Sequence, residues 1–273
     1  MHRSSRPCGG IGPVVVASVV LLGVLAVANA GSAPRSADTA LGTTVFAKRA
    51  TRVVTAAAGS GRPAPILPPA DPSANDLAGG ACVATTAGTA ACLAAVNAAR
   101  AAEEGLAPIV LPTNWRSLTG AEQLFVLFDL ERTSRGEPPI GALVHTFDTA
   151  VQAAVVSRAD PTLAAQTSGG WGSIWGGGTG LTVLGVVDLW LYDDGPGGTN
   201  ADCRTPAAPG CWVHRDIILS DGARLGGMPT EMDAVVGVDS RGAPSYAAAL
   251  LVDPVPAGPS AFTWAQEQPY LRS

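Results

Sequence analysis

Apolar positions fall into blocks whose spacing differs along the chain. Residues 14–27 form an unbroken apolar and small run that includes Leu21, Leu22 and Leu25. Residues 119–135 repeat at helical spacing, with Leu124, Leu127, Phe128 and Glu131 on one face, so Glu131 sits at the edge of an apolar stripe. Thr119 and Glu122 form a capping box ahead of it, and Gly136 with Pro138 and Pro139 stops it. Residues 90–104 lack breakers and end at Gly105, as a helix with a left-handed cap does. A third helix is expected over 148–158, with Val151, Val155 and Arg158 on one side. Residues 181–192 are apolar almost all round, which predicts a buried helix. Residues 234–238 and 246–252 are β-branched or alternating and flank a turn rich in Asp, Ser, Gly and Pro, which predicts a hairpin. Helices first and strands late give an α+β class.

The flanks read differently. His2, Arg3 and Arg6 precede the apolar run and Ala28, Asn29 and Ala30 follow it, which is the pattern of a signal peptide cleaved after Ala30. The alternative is an uncleaved anchor, the one expected route of membrane contact. A bilayer crossing needs about 20 apolar residues, so the run is short for it. Residues 31–80 are Ala, Gly, Ser, Thr and Pro with few large apolar groups, and are expected as a tether. The folded domain is expected over 81–255, and a Pro-containing tail over 256–273.

Composition narrows the location and the partners. Of five cysteines only Cys8 lies within the signal segment. Cys82, Cys92, Cys203 and Cys211 remain, and an even count in an exported chain implies disulfides. Three pairings are formally possible; the two local ones, Cys82 with Cys92 and Cys203 with Cys211, are expected. A net charge of −5 becomes −7 once Arg3 and Arg6 are removed, which speaks against a nucleic-acid partner. Secretion to the cell surface or envelope is expected.

Candidate chemistry gathers in a few segments. Asp193 and Asp194 follow the predicted buried helix directly, at the negative end of its dipole. Such a broken local rule marks a candidate site or the start of a solvated loop. Asn200 and Asp202 add oxygen ligands, but the spacing does not match an EF-hand loop. His214 lies beside Cys211 and Trp212 and is one of two histidines after the signal segment, with His145. His214 with Asp194 is a candidate for a divalent cation, although no cofactor is required by the spacing. As a general base, His214 would be oriented by Asp193 or Asp194 and would act on Ser173 or a metal-bound water, with Arg158 stabilising the developing anion. No G-x-S-x-G segment supports that reading. Trp171 and Trp175 stand in the Gly-rich stretch 169–178. Either they are exposed on a flexible loop, where they suit apolar or sugar ligands, or they are core plugs.

Glu131-Arg132 with Gly136-Glu137-Pro138-Pro139-Ile140 resembles the first-helix pattern of the CAP superfamily, the cysteine-rich secretory, antigen and pathogenesis-related proteins. The helix at 148–158, the segment Leu189 to Asp194, the run Cys211-Trp212-Val213-His214-Arg215-Asp216-Ile217-Ile218-Leu219 and the closing hairpin resemble that family's later elements in order. The resemblance covers about residues 120–253. It implies a three-layer α–β–α sandwich around an antiparallel sheet, and a cleft of two histidines and two acids that binds a divalent cation in some members. His214 matches the second histidine and Asp193 or Asp194 one acid, while Arg158 stands at the first histidine's place and Ser173 near the other acid's. Half of the constellation is therefore missing, which favours binding over catalysis. The implied ligands are lipids or cell-envelope components, held in a cleft around His214 and Asp193/Asp194 with Trp171, Trp175, Arg158, Glu131 and Trp212 as contacts. A hydrolase built on His214 is the alternative, and an inert structural envelope protein the third reading.

Overall fold

The computed structural model describes residues 45–53, 82, 88–163, 169–220, 222, 225–252 and 260–271. The expected signal segment, most of the expected tether and the start of the expected tail lie outside the described residues.

The class is α+β. Six strands form one sheet: β1 (Val45–Val53), β2 (Ala142–Val144), β3 (Trp171–Gly178), β4 (Glu231–Val238), β5 (Pro244–Leu251) and β6 (Phe262–Thr263). Their spatial order is β1-β3-β5-β4-β2-β6. The sheet is mixed, because β2 runs parallel to β4 while the other pairs are antiparallel. This corrects the antiparallel expectation: a short β2 enters beside β4 and leaves into a helix. Both outer strands come from flanking sequence. β1 lies inside the stretch expected as tether and pairs along β3, and β6 lies inside the expected tail and pairs with β2.

Capping chemistry sets several of the helix ends. Helix α1 (Gly88–Ala99) continues as a π-helical turn, Arg100–Glu104, and closes on Gly105 at φ 66°. Helix α2 (Gly120–Thr133) has both halves of the capping box formed by Thr119 and Glu122. Helix α3 (Asp148–Ser157) ends on Arg158 in the left-handed region. Helix α4 (Val183–Leu191) is capped by Thr182 and buried almost throughout, as its apolar sequence requires. Helices α5 (Val213–Ile218) and α6 (Trp264–Glu267) are short.

Alternation along β5 sorts the core into two faces. Tyr246, Ala248 and Leu250 join the cluster of α2, α4 and α5, while Ala247, Ala249 and Leu251 join Val151 and Val155 of α3. Helices therefore cover both faces. The Gly-rich stretch 169–178 holds β3, buried along its whole length from Trp171 to Gly178, so of the two readings its tryptophans are core plugs and not loop residues. Its glycines are positions of close approach: a Cβ on Gly176 would stand 2.7 Å from Val186 Cγ2, and one on Gly172 would stand 2.8 Å from Leu225 Cδ2. The disulfides join Cys82 to Cys92 and Cys203 to Cys211, the two local pairings. No helix among the described residues is long and apolar enough to cross a membrane.

Candidate functional site

Asp194 leaves the C-terminus of α4 and reaches the N-terminus of α5. Its Oδ2 accepts hydrogen bonds from the backbone N–H of His214 (2.9 Å) and of Arg215 (3.2 Å). Its Oδ1 lies 2.5 Å from His214 Nδ1 and accepts from Asn200 Nδ2 at 2.6 Å. A carboxylate badly placed for one helix dipole thus serves the next helix. Asp193 does a parallel task in the loop, its Oδ2 accepting from the Thr199 N–H (3.1 Å) and hydroxyl (2.7 Å). Burial pushes the Asp194 carboxyl up, and the imidazole with the two backbone N–H groups opposes that shift.

The pair is sealed. His214 and Asp194 are both 0% exposed, so neither presents a surface to a solute. Trp212 closes the same corner, packed with Cys203 and Cys211, and sits at φ 61° with its N–H donated to Asp194 O. Gly195 makes room for it, since a Cβ there would lie 2.1 Å from the indole. The expected open cleft around His214 and Asp193/Asp194 is therefore a packed joint between α4, the disulfide loop and α5. Trp212 is buried too and belongs to this joint.

Next to it lies a charged network that the sequence reading largely missed. Glu131 Oε2 accepts from Arg100, from Arg135 and from the Tyr192 hydroxyl (3.0 Å). Glu104 bonds Arg135 and also Arg215, the latter at 2.8 Å. Arg100 further donates to Ser134 Oγ (3.0 Å) and Ala107 O (3.1 Å), and Arg215 to Leu191 O (2.8 Å). The π-helical turn brings Arg100 and Glu104 to one side, where they tie α1 to the ends of α2, α4 and α5. Burial pushes Glu104 up, but the hydrogen bonds and positive charge of Arg135 and Arg215 outweigh it and hold the carboxyl below its usual value. Burial raises the Tyr192 hydroxyl, helped by the Glu131 charge. Glu131, expected at a stripe edge as a ligand contact, is buried inside this network. A signal was present, in charged residues at three helix ends, but pairing them requires the fold.

The remaining candidates lie on the other face of the sheet. Trp171 and Trp175 are core plugs beneath α3, and Trp175 Nε1 donates to Ser245 Oγ at 2.8 Å. Ser173 shares their side of β3 and donates to Pro161 O at 2.7 Å. Arg158 pairs with Asp239 at 3.2 Å and stacks 5.7 Å over the Trp175 ring. Ser173 and Arg158 are thus separated by the sheet from His214, and the expected nucleophile, base and anion-binding group do not converge. Among the described residues no set of three or more His, Cys, Asp or Glu side chains is placed to hold a metal ion.

A cavity of about 710 Å³ opens elsewhere, where α2 and α3 start on either side of the free end of β4. Glu122, His145, Asp148 and Gln152 supply its polar lining, and Leu143, Val235 and Val236 its apolar lining. His145 Nδ1 lies 3.1 Å from Asp148 Oδ1, and both side chains are half exposed. Behind them Asp233 Oδ2 accepts from the Phe147 N–H at 2.7 Å. Burial pushes the Asp233 carboxyl up to about 7, and the neighbouring Asp148 adds to the shift.

No family model, curated protein or solved structure matches this chain. The notch joins hydroxyl, amide, imidazole and carboxylate groups reachable from solvent to an apolar floor, a make-up that suits ligand binding.

Proposed function

We propose that this chain is an exported, disulfide-pinned domain of the kind the CAP resemblance implies, and that it works by binding a cell-envelope ligand. Its ligand site is the notch at β4, not the joint at His214. The observation that carries this reading is the contrast between the two. His214 and Asp194 are consumed by each other and by the N-terminus of α5, whereas the notch is open and carries polar groups reachable from solvent. The two disulfides suit an oxidising compartment, and the basic, apolar and small-residue order of residues 1–30 suits export.

The test is a thermal-shift and NMR screen of the exported chain against lipid, glycan and peptide components of a cell envelope. Gln152 lies exposed on α3 at the notch, so Gln152→Trp fills the site from the surface. The variant is expected to keep its melting temperature and lose the ligand response, since only a ligand that binds the native state raises stability. An undiminished response in that variant excludes the notch.

A further inference from the structure

The floor of the notch is a sheet edge. β2 pairs with β4 only as far as Val144 opposite Asp233, because the chain then turns into α3. Beyond that point, β4 continues through Val238 with β5 as its one strand partner among the described residues. The Asp239 N–H donates to Ala243 O and the Asp239 C=O accepts from the Gly242 N–H, so the backbone groups of Asp239 face β5 at the end of the hairpin. Alternation along an antiparallel ladder then turns the N–H and C=O groups of Val236 and Val238 away from β5, toward the open edge. Pro244 opposite Val238 fits this phase, since it has no N–H to offer.

Residues 234–238 are Ala-Val-Val-Gly-Val, with none of the charges or prolines that ordinarily guard an edge. Val238 is 58% exposed. The walls are the first turns of α2 and α3, and each brings an acid to the rim, Glu122 and Asp148, against one imidazole among the described residues, that of His145.

On the reading of the notch as the ligand site, we infer that the occupant is an extended peptide segment bearing basic side chains, which adds as a strand to β4 beyond the end of β2. Backbone hydrogen bonds to Val236 and Val238 hold the segment, and the apolar floor takes alternate side chains. Lysine or arginine on the segment meets Glu122 and Asp148 at the rim. A second copy of this chain is the poorer occupant, because pairing two β4 edges brings two acidic rims together in a protein of net charge −5.

The experiment uses acetylated peptides of alternating Thr and Val with two lysines, the same peptides with two glutamates, and N-methylated forms of the lysine peptide. Fluorescence polarisation reads affinity, and amide hydrogen exchange reads Val236 and Val238. The lysine peptide is expected to bind more tightly than the glutamate peptide, with a gap that shrinks as salt rises, and to protect both amides. Val238→Pro removes an outward N–H at an exposed position and leaves the β5 ladder whole. It is expected to weaken binding roughly tenfold, as is N-methylation in the bonding phase on the unaltered protein. Equal affinity for N-methylated peptides and for Val238→Pro, with loss in Gln152→Trp, overturns strand addition and leaves the notch as a ligand site of another kind. A concentration-dependent dimer that Val238→Pro dissolves, with no peptide bound, overturns it in favour of the second copy. Absence of peptide binding while another envelope ligand still requires the notch overturns it as well.

Discussion

A buried carboxylate and a buried imidazole in contact are a structural commitment before they are a catalytic opportunity. Breaking such a pair by truncating one member strands the other in a dry site and costs about 3–5 kcal/mol. His214→Ala is therefore expected to lose stability on that scale in urea unfolding, and a double cycle with Asp194→Asn should be strongly non-additive. Unchanged stability of His214→Ala would return the histidine to the list of working groups. A second prediction rests on Asp129, whose Oδ1 accepts from the Ile140 N–H at 2.6 Å just past the stop of α2. Burial pushes this carboxyl up to about 8, against the opposing Ile140 bond and Arg132 charge, while the unfolded group titrates near 3.8. The folded state thus holds its proton longer, and the associated stability is full below about pH 4 and lost as pH rises through about 8. Asp129→Asn should flatten the stability profile across that window, and Asp233, Asp194 and Glu267, all pushed up by burial, contribute to the slope that remains. Little of this was legible in sequence. Asp194 stood out as a carboxylate at the wrong end of a helix, but the helix that it caps begins about 20 residues later, beyond the reach of any local rule.

Elements with local signals appear where the sequence places them. The capping box of α2, the left-handed Gly105 and the hairpin of β4 and β5 each rest on residues within a few positions of one another. β3 is ambiguous in sequence for a physical reason: its glycines look like loop residues but mark places where α4 and α5 side chains press on the strand backbone. Gly176→Ala tests this directly. The added methyl meets Val186 and the Trp190 ring within about 3 Å, and the overpacking should cost about 1–3 kcal/mol in thermal or urea unfolding. A neutral substitution would mean that α4 can move away from the sheet. The same close packing explains why Trp171 and Trp175 are plugs, since large rings on one face of β3 balance glycines on the other.

Over the whole molecule, the sheet is finished by sequence that looks like its wrapping. β1 covers the outer edge of β3, although it lies in an Ala-, Ser- and Thr-rich stretch, and β6 covers β2 from beyond the last expected strand. Removing residues 1–53 is expected to bare the β3 edge and produce self-association, visible as a rise in light scattering with concentration; a monomeric truncation would show that β1 is dispensable as a cover. The α+β class, the acidic balance, the capped start of α2, the closing hairpin and the two local disulfides all follow from composition or from residues close together in the chain. Only the tertiary structure decided that His214 and Asp194 are sealed, that Ser173 and Arg158 lie across the sheet from them, and that an open notch lies against a strand edge. Caps, turns and periodicity depend on near neighbours and can be read along a line. Burial, sidedness and free edges depend on which distant segments meet, and that is settled only when the chain has folded.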